Sequence, residues 1–233
     1  MRILVATDAW HPQINGVVRT LEQTAAALTA LGVETEFLTP QSFRSVPLPT
    51  YPEIRLSLVK ASDVLARLDQ RAFDAIHIAT EGPIGLAARR ACRRRGWAFT
   101  TSYHTRFPEY LRARLPIPED WAYAWLRRFH GGGAATMVAT ETLRGELRAR
   151  GFTNLVTWSR GVDTDLFRPE AKTPLPFPKP IFLNVGRLAF EKNVDALFRP
   201  RSSRNKGSCR GRTRAGHPAG PFPRSGVPGF AGG

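Results

Sequence analysis

With 233 residues and 42% hydrophobic content, the chain has the composition of a globular protein large enough for one sizeable domain or for a domain and a fragment. No apolar run reaches the roughly 18 residues that a transmembrane helix needs, and two cysteines in unlike contexts, Cys92 and Cys209, make neither a metal nor a disulfide pattern. The net charge of +15 points toward nucleic acid or an anionic membrane, but eight cations between Arg199 and Arg224 supply about half of it, leaving +7 on residues 1–198.

The N-terminal Arg2–Thr7 is too short and lacks a small-residue cleavage pattern, so it reads as a first strand rather than a signal peptide, and a cytoplasmic chain is expected. After it, Asp8 through Gly16 leads into a helix over about residues 17–31, with Val17, Val18, Leu21, Ala25 and Leu28 on one face. Gly32 closes that helix, and Val33–Thr39 alternates as a second strand. A proline-punctuated loop precedes a possible edge strand at Glu53–Leu58. Ala61–Gln70 reads as helix, Asp74–Ala79 as buried strand, and Pro83–Arg95 as a helix with proline in its first turn. Trp97–Tyr103 is another strand, and two aromatic-rich helical stretches occupy roughly residues 107–130. Ala135–Val138 and Asn154–Thr157 are short strands flanking a helix over Thr140–Arg150, with Thr140 as its N-cap.

Strands alternating with helices through 157 residues predict an α/β fold with a doubly wound, Rossmann-like parallel sheet. Its ligand site is then expected at the carboxyl ends of the strands. Five prolines between Arg168 and Pro180 predict a stiff linker at 168–179 after a domain over 1–167. Beyond it, residues 180–198 read as the first strand, loop and helix start of a second domain. The loop after the first strand holds Gly16 alone, so the dinucleotide fingerprint G-x-G-x-x-G is absent, which argues against a nicotinamide-dependent dehydrogenase.

Several residues at these strand ends carry chemistry. Asn15 and Gly16 sit at a strand-to-helix turn, where helix N–H groups bind anions; a plain tight turn reads equally well. His104 follows a buried strand at the ligand edge, whereas His77 lies inside a strand and reads as structural. Glu81 can hold a sugar hydroxyl or cap the helix that follows. Arg160 and Asp163 close the last strand before the linker. Gly186, Arg187 and Lys192 form a glycine turn with a two-pronged donor and a point charge, a combination suited to a diphosphate. The cluster Arg89, Arg90, Arg93, Arg94 and Arg95 reads either as a solvated helix end or as a contact for anionic lipid.

Taken in order, Asn15-Gly16-Val17-Val18-Arg19-Thr20, Glu81-Gly82-Pro83, Tyr103-His104-Thr105-Arg106-Phe107, Ser159-Arg160-Gly161-Val162-Asp163-Thr164-Asp165-Leu166-Phe167 and Gly186-Arg187-Leu188-x-x-Glu191-Lys192-Asn193 resemble family 4 glycosyltransferases of the GT-B fold. Over residues 1–198 the resemblance is to bacterial GDP-mannose-dependent α-mannosyltransferases, with sulfoquinovosyltransferases as near relatives. It implies a retaining transfer of a hexose, with mannose in the GDP-linked form as the expected donor, to a lipid or glycan acceptor. It implies no metal and no cofactor beyond the nucleotide-sugar co-substrate. Gly16 would face the donor phosphates, and His104 would hydrogen-bond the reacting sugar. Arg187 and Lys192 would hold the diphosphate and stabilise the charge that builds on it as it leaves. The N-terminal domain would carry the acceptor site and could touch the inner face of the membrane, and no nucleic-acid partner is expected. The family's Glu-x7-Glu motif belongs to the second domain and is not found here. The non-enzymatic alternative is a basic adaptor for nucleic acid or anionic membrane; an epimerase or phosphorylase of the same fold fits the motif set less well.

Residues 199–233 are rich in Arg, Gly, Pro and Ser, lack Leu and Ile, and read as disordered. They can also be encoded so that the +1 reading frame yields Pro-Gly-Thr-Lys-Val-Val-Val-Gly-Asp-Gly-Pro from Ser203 onward. That is a turn, a strand and a glycine loop where the family's second domain has them. The expectation is a frameshift near residues 198–202, leaving a chain that is incomplete and inactive by itself.

Overall fold

A computed structural model describes residues 1–13, 15–48, 51–104, 108 and 118–169. Two compact units divide the chain, Met1–Ile181 and Phe182–Gly233, and the second lies outside the described residues. The expectations for residues 109–117, for most of the linker, for the loop at 186–192 and for the tail lie outside them as well.

Eight strands and five α-helices are described. In chain order they are β1 (Arg2–Ala6), α1 (Gly16–Ala30), β2 (Glu34–Leu38), β3 (Ser45–Leu48), β4 (Tyr51–Ser57), α2 (Ala61–Gln70), β5 (Ala75–Ile78), α3 (Pro83–Arg95), β6 (Thr100–Tyr103), α4 (Glu119–His130), β7 (Ala135–Val138), α5 (Glu141–Ala149) and β8 (Leu155–Thr157). Six of the strands form one parallel sheet in the order β2-β1-β5-β6-β7-β8. The chain begins in β1, steps out to β2, and returns to the other side of β1 with β5. The order therefore reverses between β1 and β5, where an open α/β sheet leaves a crevice at its carboxyl edge.

The short apolar strands read Arg-Ile-Leu-Val-Ala and Ala-Ile-His-Ile because both faces of a parallel sheet are covered. Leu4, Ala6, Leu38, Ile76 and Ile78 pack against Val64 and Leu68 of α2 and Ile84, Ala88 and Cys92 of α3. Val5 points to the opposite face, where it meets Leu21 of α1 and Ala79. A third cluster joins Tyr103, Val138 and Leu155 of the later strands to Leu126 of α4 and Leu147 of α5. Fully burying a side chain of this size stabilises the fold by about 1.5–3 kcal/mol.

Helix ends follow local chemistry. Asn15 caps α1 by accepting from the N–H groups of Val17 and Val18 at 2.9 and 3.0 Å, and Gly32 takes a positive φ of 73° just past its end. Thr140 caps α5 through the N–H of Leu143. The start of α3 is different, because its own N-cap is Gly82 and offers no side chain. Asp8, at the end of β1, reaches across to accept from the N–H of Ile84 at 2.8 Å and of Gly85 at 3.3 Å, while the Thr80 hydroxyl donates to it at 2.9 Å. A Cβ on residue 82 would lie 2.4 Å from the Asp8 carboxyl carbon, and one on residue 85 would lie 1.8 Å from the carbonyl oxygen of Thr80. Packing alone thus demands both glycines of Gly82-Pro83-Ile84-Gly85.

One expectation is corrected. The strand foreseen at Glu53–Leu58 does not edge the main sheet. It begins at Tyr51 and pairs antiparallel with β3, Val46 opposite Leu56, as a separate two-stranded ribbon. Arg55 braces the ribbon by donating to the hydroxyl and carbonyl of Ser45.

Candidate active site at the carboxyl edge of the sheet

Strand β6 is the polar member of the sheet, and its composition sets up the site. Thr101 and Ser102 are completely buried and need partners. Ser102 shares a hydrogen bond with Nε2 of His77 at 2.9 Å, and the other ring nitrogen of His77 meets the Thr100 hydroxyl at 2.8 Å. Thr101 bonds to Thr136 at 3.0 Å and to Nδ1 of His130 at 2.9 Å. His130, at the end of α4, is wholly buried, and its Nε2 lies 3.2 Å from Oε1 of Glu81. A continuous polar seam therefore runs from Glu81 through His130, Thr101 and Thr136 to Asn154.

His104 follows β6 directly. Its Nδ1 lies 3.0 Å from Nη2 of Arg160. A guanidinium can only donate, so Nδ1 must accept and the ring proton must sit on Nε2. That Nε2 is buried and has no hydrogen-bond partner among the described residues. Burial first, and then the charges of Arg160, His77 and His130, lower the His104 pKa to about 3. Burial alone takes His77 to about 4. Both imidazoles are neutral at pH 7, so His104 offers one fixed, unused N–H rather than a proton to transfer. Trp158, just after β8, sits edge-on to both rings and covers them on that side.

The β1 end of the crevice is built by the loop into α1. Gly16 is exposed, and a Cβ there would meet nothing within 4 Å, so packing within the chain does not require a glycine at this turn. The missing side chain leaves room for close approach from outside. Two of the first N–H groups of α1 are already taken by Asn15, so Asn15 serves the helix itself. Among the described residues, no group of three His, Cys, Asp or Glu side chains could hold a metal ion.

The model of Glycosyltransferase Family 4 matches residues 14–166, which takes in Asn15, Gly16, His77, Glu81, His104, His130, Trp158 and Arg160 but not Asp8. The chain belongs to that family. Three curated relatives carry the name GDP-mannose-dependent alpha-mannosyltransferase. The protein from Mycobacterium tuberculosis is 26% identical over 84% of this chain and 58% of its own length. That from Mycolicibacterium smegmatis is 25% identical over 84% and 59%, and that from Corynebacterium glutamicum 24% identical over 84% and 54%. The chain thus spans less than two thirds of the length of each relative.

Within this family member the predicted residues are placed differently from one another. His104 and Arg160, 56 positions apart, are brought into direct contact. Glu81 stands at the β5 end and contacts His130 instead of capping α3, because Asp8 has that role. Asp163 closes its own turn by accepting from the N–H groups of Asp165 and Leu166 at 3.0 and 2.9 Å. Gly186, Arg187 and Lys192 lie outside the described residues. Neither Asp8 nor His130 is singled out by the sequence as a site residue. His130 carried one usable signal: with Tyr123, Leu126 and Phe129 it lies on the buried stripe of α4, a position that calls for a polar partner.

Proposed function

We propose that this chain is the acceptor-side part of a retaining hexosyltransferase that moves mannose from GDP-mannose to a lipid or glycan acceptor at the cytoplasmic face of the membrane. The observation that carries the reading is the buried Nε2–H of His104, without a partner among the described residues and held in that tautomer by Arg160 at the carboxyl edge of the sheet. An orphaned buried donor costs about 1–3 kcal/mol, a cost that a bound hydroxyl would remove. The names of the curated relatives support mannose and GDP as donor components.

In this reading His104 donates to a hydroxyl of the donor sugar and orients it. The bond between the anomeric carbon and the diphosphate breaks, and the acceptor hydroxyl bonds to that carbon from the same face. Its proton leaves with the diphosphate. Negative charge grows on the departing diphosphate, and Arg187 and Lys192 are assigned to stabilise it. A site divided between two domains loses its positioning when one is missing, so the 233-residue chain is expected to be inactive.

The test has two steps. The gene is sequenced across codons 198–233, and the protein read through the +1 frame is assayed with labelled GDP-mannose against lipid and oligosaccharide acceptors. An open +1 frame running past codon 233, with mannosyl transfer by the rejoined protein only, is the expected result. Transfer by residues 1–233 at the rejoined protein's rate would overturn the incompleteness. A rejoined protein that uses another nucleotide sugar and ignores GDP-mannose would overturn the donor.

A further inference from the structure

The polar seam behind the site fixes its own hydrogens, starting from its far end. The side-chain nitrogen of Asn154 faces two carbonyls, that of Gly133 at 2.8 Å and that of His130 at 3.0 Å. Carbonyls only accept, so the amide turns Nδ2 toward them and Oδ1 toward the Thr136 hydroxyl 3.3 Å away. That oxygen also only accepts, so Thr136 spends its one hydrogen there. Thr136 then accepts from Thr101 at 3.0 Å, and Thr101 in turn accepts from Nδ1 of His130 at 2.9 Å. Nδ1 therefore carries a proton. Any reversal would leave one of these buried contacts with two hydrogens or with none, since Thr101, Thr136 and His130 are all fully buried.

The near end of the seam then calls for a second proton. Nε2 of His130 faces Oε1 of Glu81 at 3.2 Å. With Nδ1 protonated, a bare Nε2 would set its lone pair against a carboxylate. The contact is attractive when one more proton lies between the two atoms, as imidazolium with carboxylate or as imidazole with carboxylic acid. In both forms the pair is uncharged overall, and in both Oε2 of Glu81 is left as an acceptor. Oε2 has no hydrogen bond among the described residues, and the Glu81 side chain is 20% exposed whereas that of His130 is not exposed at all.

The groups packed around His130 leave this pairing undisturbed. Asp8, from β1, is engaged by Thr80 and the first N–H groups of α3, and Arg89 of α3 donates to the carbonyl of Phe129. Tyr103 lies against the imidazole with ring centres 5.8 Å apart. His104, one residue further on, is close enough for the charge of His130 to act on it. Glu81 follows β5 and His104 follows β6, and these strands are neighbours in the sheet. One acceptor and one donor at adjacent strand ends match two hydroxyls of a single sugar ring.

We propose that His130 is a positioning residue: doubly tied, it holds Oε1 of Glu81 so that Oε2 accepts from a hydroxyl of the same hexose to which His104 donates. The hexose rests on the transfer reading given above, whereas the placement of the protons does not. The shared proton also keeps the pair neutral, so that it does not repel the diphosphate of the donor.

The test begins with nitrogen and carboxyl-carbon NMR of the 233-residue chain near neutral pH. A protonated Nδ1 is expected at His130, with a second proton on Nε2 or on the Glu81 carboxyl. A bare Nδ1, or a bare Nε2 beside an ionised Glu81, would overturn the proposal. Glu81→Gln should leave Nδ1 protonated and release about one proton, because the new amide can donate to Nε2 itself. Thr136→Val frees the hydrogen of Thr101, so Nδ1 should lose its proton, a change that a purely structural histidine would not show. An unchanged Nδ1 in folded Thr136→Val would overturn the wiring. Should that variant unfold by circular dichroism, Glu81→Gln at its partly exposed position decides, and retention of the second proton there would overturn the pairing. In the rejoined two-domain protein, His130→Ala should raise KM for the nucleotide sugar about tenfold with kcat little changed, and His130→Gln, which can still donate to Glu81, should recover part of it. An unchanged KM would overturn the positioning role. Absence of transfer by every form would remove the hexose along with the transfer reading, while the spectra decide the proton placement by themselves.

Discussion

His77, in β5, and His104, just after the neighbouring β6, share an environment: both are partly buried at the β5–β6 seam, both face Trp158, and both are held neutral. What separates them is partnership. His77 has both nitrogens engaged by hydroxyls of β6, so it completes the sheet. His104 has one nitrogen engaged by Arg160 and one without a partner among the described residues. Burial and a depressed pKa therefore do not mark a working histidine in this domain. The donor that His104 keeps without a partner among the described residues is what sets it apart.

The comparison makes its largest demand on activity. In the rejoined two-domain protein, His104→Ala should lower mannosyl transfer by about 100- to 1,000-fold with little change in melting temperature, as loss of one positioned donor does elsewhere. His77→Ala should do the reverse. It leaves the Thr100 and Ser102 hydroxyls unpaired beside a cavity, at a cost of about 2–4 kcal/mol in urea unfolding, while the folded fraction keeps its activity. If both substitutions damage activity and stability alike, the distinction between the two histidines collapses.

A smaller effect comes from pH. The folded values of about 4 and about 3 lie below the unfolded histidine value of about 6.5. The stability tied to neutral imidazole is thus fully present above pH 6.5 and is lost as pH falls toward the folded values, because the unfolded chain takes up protons that the folded chain refuses. Asp8 acts oppositely, since burial raises its pKa. The urea midpoint should fall between pH 6.5 and 4, and His77→Gln should reduce the slope by about one proton. An unchanged slope would place His77 outside the titration.

The finest prediction concerns the ring itself. Nitrogen NMR of the chain should show His104 with an unprotonated Nδ1 and a protonated Nε2. Arg160→Gln should move the two resonances toward each other as the tautomers mix, without unfolding. Identical spectra would mean that Arg160 does not hold the tautomer.

Much of the fold was legible because parallel strands announce themselves as short apolar runs between amphipathic helices, and caps such as Thr140 and Gly32 are local. The ribbon of β3 and β4 was misplaced because Pro47 and a four-residue strand leave no period to read. At the site, position at a strand end was enough to single out His104, Glu81 and Arg160. Their partners were not readable. The contact from Asp8 to Ile84 spans 76 positions and that from His130 to Glu81 spans 49, and nothing in the intervening sequence signals either. For Glu81 this removes the capping reading, since the helix already has its cap.

Strand β8 is only three residues long, and it is the outermost strand of the sheet on its side. Three register pairs with β7 and one further bond, from the Trp158 N–H to the Val138 carbonyl, tether the segment that delivers Arg160 to His104. Edge strands of this length open by fraying long before a domain unfolds. Each such opening frees the imidazole to rotate and to exchange its proton between nitrogens. The fraction of molecules with the His104 tautomer fixed is then set by the opening equilibrium of one short strand, and amide exchange at Val156 and Trp158 becomes a gauge of it.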